Sequence, residues 1–382
     1  MGYVSRVTTR DERDGRGTAD DHGDEYHERD HRGDEFKEIF GRVRDGLEWL
    51  FETDDEVLTV TASGTGAFEA GMTNFSSRSD TLICIGGGKF GQRWGDVADS
   101  WEMDVVDVEV EWGTAVDLER LEAALEAHPD TAMVTLTASE TSTGVLHPVE
   151  EVAELVHRKS DALLAVDGIT AVGVHPLPMD AWNIDVLVAG SQKAFGVPPG
   201  LGFVAANDRA WERYDRADDP GYYFDLGRER GRQVHDQTAF TPAIPQVLAM
   251  EEVLKLMREE GRDGIFRRHE RNARATRAAV RALDLEVFGE PHSNAVTAVR
   301  TPDDLDAPAV VDTMADKHGA VIAGGQKHLS PNLFRLGHIG FFDHRDILHM
   351  IGALELSLAE VGLPVQSGQG VEAAQSVFAD FE

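Results

Sequence analysis

The 382-residue chain reads as an α/β protein built on a mainly parallel sheet, and two observations predict it. Apolar strand-like runs recur through the N-terminal part of the chain with helical stretches between most of them. That is the alternation a parallel sheet covered on both faces requires. The chemically unusual residues also fall just past the ends of those runs, where ligands bind in such sheets.

The elements follow in order. Residues 1–33 carry almost no apolar side chains and include Arg10-Asp11-Glu12-Arg13-Asp14 and Asp20-Asp21-His22-Gly23-Asp24-Glu25, so a flexible arm is expected there. Phe36, Ile39, Phe40, Val43, Leu47 and Leu50 recur at helical spacing, which predicts an amphipathic helix over 36–51. Strands are expected at 57–62, 81–85, 105–108, 132–136, 163–166, 186–189 and 201–205, with helices such as 118–127 and 149–157 between them. A helical segment over 246–283, broken at Gly261–Gly264, leads to a second α+β unit made of 286–300, 309–319, 333–336 and 344–360. The division expected is an arm over 1–33, a large domain over 34–265, a small C-terminal domain over 266–365 and a tail over 366–382, loosely held after Gly362.

Net charge is −33, from 69 Asp and Glu against 36 Lys and Arg, and only seven of those bases are lysines. Such a balance repels nucleic acid and anionic membranes. The acidic excess is spread through segments that also carry periodic apolar residues. It therefore reads as a hydrated surface adapted to high salt, a halophilic signature, rather than as disorder. No apolar stretch is long enough to span a bilayer and no signal peptide opens the sequence, so a cytoplasmic protein is expected. The single cysteine, Cys84, lies in an apolar run and reads as a small core residue rather than a nucleophile.

Lys193, in Gly190-Ser191-Gln192-Lys193-Ala194-Phe195, follows one apolar run and precedes Pro198-Pro199-Gly200. Desolvation disfavours an ammonium at the end of a buried strand, so this lysine can be a partly neutral nucleophile that forms a Schiff base. Asp167 ends another run about a strand–helix–strand away. Pyridoxal phosphate needs such a lysine together with an acid for its pyridinium nitrogen. Taken singly, Asp167 reads as a helix N-cap and Lys193 as a surface lysine; the pair lowers both of those readings.

Ser63-Gly64-Thr65-Gly66-Ala67 follows the first strand and opens a helix. Its amides, hydroxyls and helix N-terminus suit a phosphate, and equally a glycine turn with a capping hydroxyl. Gly86-Gly87-Gly88-Lys89 lacks the spacing and the hydroxyl of an ATPase phosphate loop. Glu140-Thr141-Ser142-Thr143-Gly144 puts hydroxyls past a strand end, and alone it reads as a polar turn. Arg335 is a charge inside the apolar run Leu333-Phe334-Arg335-Leu336, suited to a carboxylate ligand or to an internal salt bridge. His22, His27 and His31 sit among carboxylates; a solvated segment is the better reading there than a zinc site.

In this order the motifs resemble the class V aminotransferases of fold type I, near the alanine–glyoxylate and serine–pyruvate aminotransferases, over about residues 31–363. The resemblance implies a fold type I large domain with a small α+β domain, and pyridoxal 5′-phosphate as cofactor. It implies Lys193 as the Schiff-base lysine and Asp167 as the partner of the pyridine nitrogen. Ser63, Gly64, Thr65, Gly66 and Gln192 would hold the phosphate, with Thr141 near the ring hydroxyl. Phe90 would stack on one face of the ring and Ile169 press on the other. Arg335 would bind the substrate carboxylate, and no metal is implied. Thr241 would reach the phosphate of a partner subunit, which implies a homodimer with shared active sites. The chain departs from the family at Thr238, where many members have tyrosine, and at Ala67, where some have histidine. It also lacks the family's proline- and glycine-rich motif ahead of His31-Arg32.

The expected reaction is transfer of an amino group from a small amino acid (alanine, serine or aspartate) to a 2-oxo acid (glyoxylate or pyruvate). The rivals are a lyase or desulfurase on the same scaffold, which needs a mobile cysteine, and a silent cofactor-binding homologue.

Overall fold

The computed structural model describes residues 31–218 and 220–381. Most of the expected arm, with His22 and His27, lies outside the described residues. Helix α1 (Asp34–Phe51) begins two residues ahead of its apolar pattern and buries Phe36, Phe40, Val43, Leu47 and Phe51. There follow β1 (Val57–Val60), α2 (Gly64–Thr73), β2 (Thr81–Ile85), α3 (Lys89–Ser100), β3 (Asp104–Val108), α4 (Leu118–Ala127) and β4 (Met133–Thr137). A two-strand turn of β5 (Ser139–Glu140) and β6 (Val145–Leu146) precedes α5 (Val149–Lys159), β7 (Leu163–Asp167), β8 (Val186–Gly190) and β9 (Gly202–Ala206).

Seven of these strands form one sheet in the order β1-β9-β8-β7-β4-β2-β3. The pairs β8–β7, β7–β4, β4–β2 and β2–β3 are parallel, and β9 runs against both of its neighbours. Successive residues enter opposite layers, as the two-residue strand period dictates. In β7, Leu163 and Ala165 pack in the layer of Phe68 and Trp94. Leu164 and Val166 pack in the layer of Phe40 and Val152. Both faces are therefore dry, and the central strands are apolar at nearly every position. This is why the inner strands were readable as unbroken runs, whereas edge strand β3 is partly exposed and carries Asp104 and Asp107.

Helices α6 (Asp208–Tyr214), α7 (Leu226–Gln233) and α8 (Ile244–Glu260) follow. Gly261, at a φ of 75°, breaks the chain between α8 and α9 (Arg262–Ala282), where the expected glycine break lies. The C-terminal part holds β10 (Glu286–Val287), β11 (Val296–Arg300), α10 (Ala307–His318), β12 (Ala323–Gly324), β13 (Leu333–Gly337), α11 (His344–Glu360) and α12 (Gln369–Asp380). Its sheet is antiparallel, in the order β10-β11-β13-β12. The segment after Gly362 is not loosely held. Buried Glu355 accepts hydrogen bonds from the amides of Gly368 and Gly370 at 2.8 and 2.6 Å, and Ala374 of α12 is buried. A polar, glycine-bearing stretch hid this tether because its acceptor lies on a different helix.

Helix α2 reaches the sheet through a small residue. A Cβ on Gly71 would stand 2.9 Å from Val188 Cγ1 on β8. Replacement Gly71→Val overpacks this contact and is expected to cost about 1–3 kcal/mol of stability. A urea midpoint equal to that of the parent protein would show that α2 can yield without loss.

Candidate active site

Because β8, β7, β4 and β2 are parallel neighbours, their carboxyl ends share one edge. Asp167 closes β7, and Lys193 lies three residues past the end of β8. Lys193 sits in a loop that closes on itself. Ser191 Oγ donates to Pro198 O at 2.8 Å, and Gly196 N donates to Lys193 O at 3.0 Å, with Gly196 at a φ of 68° that favours glycine. The lysine is 7% exposed. Burial lowers its pKa to about 8, while the Asp167 carboxylate raises it and the Arg335 and Arg93 guanidiniums lower it further.

Asp167 is buried too, and burial pushes its carboxyl up to about 6 against the stabilising hydrogen bond from Ile169 N, 2.8 Å from Oδ1. Thr137 Oγ1 donates weakly to its Oδ2 at 3.5 Å. The 2.8 Å bond to Ile169 N is the turn contact that a capping aspartate makes, and the same carboxylate lies close enough to Lys193 to shift it. The two readings of Asp167 are compatible.

Ser63 is the N-cap of α2, yet its side chain makes no capping bond. Among the described residues the amides of Gly64 and Thr65 donate to nothing, so the positive end of the helix stays open. A Cβ on Gly64 would stand 2.8 Å from Ile169 Cδ1 and 3.4 Å from Gln192 Nε2. Gln192 Oε1 is buried and has no hydrogen-bond partner among the described residues. Open amides and the hydroxyls of Ser63 and Thr65 make a cradle suited to an anionic group, and the Gln192 amide beside them can turn its Nε2 inward as a further donor.

On the other side, Glu140 is buried at the end of β5 and organises its neighbours. Its Oε2 accepts from Phe90 N at 3.0 Å and Gly91 N at 2.8 Å, which caps α3. Its Oε1 accepts from Ser142 N at 2.9 Å and Ser142 Oγ at 2.6 Å. Any Cβ on Gly88 would lie 2.3 Å from Glu140 Cδ, so glycine is required there. Phe90 is thereby fixed at the first turn of α3.

Arg335 lies in β13 between β11 and β12, pointing away from the layer that takes Phe334 and Leu336. It is 4% exposed and makes no ion pair among the described residues. Its Nη1 donates to Thr141 O and its Nε to Gly324 O, each at 2.9 Å. The internal salt bridge considered for it is absent among those residues, and burial lowers its pKa. Lys193, Thr141, Thr170, Arg335, Ile339 and Phe342 line one cavity of about 540 Å³.

The structure thus brings Asp167, Lys193, Thr141, Arg335, Phe90, Thr65, Gly64, Ile169 and Gln192 into one connected neighbourhood. Thr241 is exposed in the loop before α8, and no hydrogen bond links it to the others among the described residues. No group of His, Cys, Asp or Glu suited to a metal occurs among the described residues. Glu140 and Arg93 were missed as site residues. Glu140 carried a signal, a carboxylate ending a buried strand, that the neighbouring hydroxyls masked.

The aminotransferase class-V family model matches residues 19–342. The "soluble hydrogenase 42 kDa subunit" of Anabaena cylindrica is 42% identical over 355 residues, covering 92% of each chain. The L-aspartate–glyoxylate aminotransferase of Paracoccus denitrificans is 32% identical over 353 residues, covering 91% of this chain and 89% of that protein. Among solved structures, an alanine–glyoxylate aminotransferase from Nostoc sp. superposes with a TM-score of 0.81 at 30% identity, over 86% of this chain and 88% of that one.

Removing the Glu140 side chain leaves the amides of Phe90, Gly91 and Ser142 without their acceptor. Glu140→Ala is expected to lower stability by more than about 2 kcal/mol. Chemical unfolding at the parent's midpoint would contradict the organising role given to this carboxylate.

Proposed function

The chain belongs to the class V aminotransferases, which use pyridoxal phosphate, and on that basis we propose that it transfers an amino group from alanine, serine or aspartate to glyoxylate or pyruvate at the site around Lys193. The observation that carries this reading is a buried amine beside a buried carboxylate, with an arginine that makes no ion pair among the described residues lining the same cavity. Both aminotransferases above are named for glyoxylate, which supports it as a substrate here.

Bound pyridoxal phosphate supplies an aldehyde and an electron-withdrawing ring. Lys193 would be the amine presented to that aldehyde and the group that moves a proton at the donor's Cα. Burial keeps that amine partly neutral near pH 8, which both tasks need. Asp167, ionised at neutral pH, would pair with the ring nitrogen and favour its protonated form. Ser63, Gly64, Thr65, Gly66 and Gln192 would hold the phosphate, Thr141 would lie near the ring hydroxyl, and Phe90 and Ile169 would cover the ring. Arg335 exchanges a weak bond to a carbonyl for the donor's carboxylate and so sets the orientation of Cα.

Residues 34–265 then form the cofactor domain, and 266–365 the unit that brings Arg335. A homodimer is supported by exposed Tyr222 and Tyr223, which pack around Phe240 next to Thr241, a surface suited to a second copy. The charge of −33 supports a halophilic source, and among the described residues no helix is long and apolar enough to cross a membrane, in keeping with a cytoplasmic enzyme.

A desulfurase is disfavoured by Cys84, which lies in the middle of β2 at 2% exposure with its thiol pushed up to about 12 by burial. The hydrogenase name attached to one relative finds no thiolate set here, since the chain has a single cysteine. A silent homologue is disfavoured because Lys193, Asp167 and Arg335 all keep the surroundings that chemistry needs.

Mixing the cofactor-loaded protein with each donor should convert the visible absorbance to that of the amine form of the cofactor, and Lys193→Ala should abolish the change. No conversion with any amino acid would favour the silent reading. Arg335→Gln is expected to raise donor KM by on the order of 10- to 100-fold, the worth of a charged hydrogen-bond pair, while the cofactor spectrum stays as in the parent. Since Lys193 sheds its proton only as pH rises through about 8, the rate of cofactor uptake should climb roughly tenfold per pH unit below that point and level above it. A rate that falls with pH over this range would contradict the assignment.

A further inference from the structure

From the cofactor reading above, we infer that Arg93 is the counter-charge of the cofactor phosphate, a binding residue added to the α2 cradle from α3. Arg93 lies one turn after Phe90 on α3, half-buried, with its Cζ 4.8 Å from the centre of the Phe90 ring. Its Nη1 donates to Thr65 Oγ1 at 3.2 Å, the hydroxyl at the open end of α2. No ion pair satisfies it among the described residues, although Asp96 and Asp99 follow on the same helix. One nitrogen engages a neutral hydroxyl, and the rest of the guanidinium fork is left for a stronger acceptor.

The charge balance calls for such a residue. A phosphate ester carries close to two negative charges at neutral pH, whereas the end of a helix offers about half a positive charge. The cradle itself, Ser63 to Ala67, holds no cation. Lys193 would serve the aldehyde end, and Arg335 faces Thr141 and Gly324. Arg93 is the cation that touches the cradle among the described residues. Its charge also reaches Asp167 and Lys193, which places it within range of the whole site. Stacking on Phe90 holds the guanidinium plane in place before any ligand arrives, which limits the ordering cost of binding.

The test compares two aldehydes that differ only in the phosphate. The full chain freed of cofactor is titrated with pyridoxal phosphate and with pyridoxal, for the parent, Arg93→Gln and Arg93→Lys. Arg93→Gln is expected to weaken pyridoxal phosphate by on the order of 10- to 100-fold and to leave pyridoxal unchanged, since only the former carries the anion. Arg93→Lys, which keeps the charge and loses the fork, should recover part of the loss. The phosphorus NMR signal of the bound phosphate should move in both variants. Equal weakening of the two aldehydes would reduce Arg93 to a support for Phe90 and overturn the inference. Unchanged phosphate affinity with a raised KM for aspartate would overturn it too, by assigning the arginine to a substrate carboxylate. If the parent protein itself takes up neither aldehyde, the cofactor site around Lys193 is wrong, a failure separate from that of Arg93.

Discussion

Glu140 is a buried carboxylate whose charge is met by hydrogen bonds rather than by an ion pair among the described residues, and the arrangement of the site follows from it. Two of its four accepted bonds come from the first turn of α3, whose positive end offsets a negative charge. The other two come from Ser142, so the turn after β5 and the start of α3 behave as one piece. Between them Thr141 offers its carbonyl to Arg335 on the second sheet. Three consecutive residues thus couple the aromatic residue proposed to stack on the cofactor with the arginine proposed to hold the substrate. Loosening Glu140 would move both.

Burial then sets the chemistry of the charged residues at the edge of the sheet. For Lys193, desolvation outweighs the attraction of Asp167, and the amine is left near the threshold of neutrality. For Asp167 the same effect is held in check by the Ile169 amide, so the carboxyl titrates near 6 and is ionised in neutral solution. Arg335 is buried against carbonyl oxygens, which satisfy its donors without cancelling its charge. A cation kept in this way stays available to an incoming carboxylate, because among the described residues no internal carboxylate must be displaced.

Much of this was legible in the sequence, for a physical reason. Strands buried on both faces leave unbroken apolar runs, so their ends, and with them Asp167 and Lys193, are marked by the change in polarity. Arg335 was visible for the same reason, as a charge where β13 is otherwise apolar. What stayed hidden depends on contacts between residues far apart in the chain. The tether from Glu355 to α12, the Glu140 cap on Phe90 and the reach of Arg93 to Thr65 each join separate elements, and no local periodicity reports them. The ambiguity at Ser63, cradle or capped turn, also needed three dimensions. Only the geometry reveals that the serine leaves the helix end uncapped.

The surface charge gives the short contacts of the site a particular importance. A chain at −33 repels an anionic cofactor and an anionic 2-oxo acid at long range, and at low salt that field opposes both. High salt shortens its reach to about 3 Å at 1 M, which removes the repulsion but equally removes any steering by distant basic residues. Binding must then come from groups in direct contact with the ligand, held in place beforehand by the fold. The amides of Gly64 and Thr65, the Arg93 fork on Phe90 and the Arg335 fork on Thr141 are the groups proposed to bind in this way. A strongly acidic exterior and a site with prepositioned cations are therefore two sides of one electrostatic solution. The first keeps the protein hydrated, and the second works at distances too short for salt to intervene.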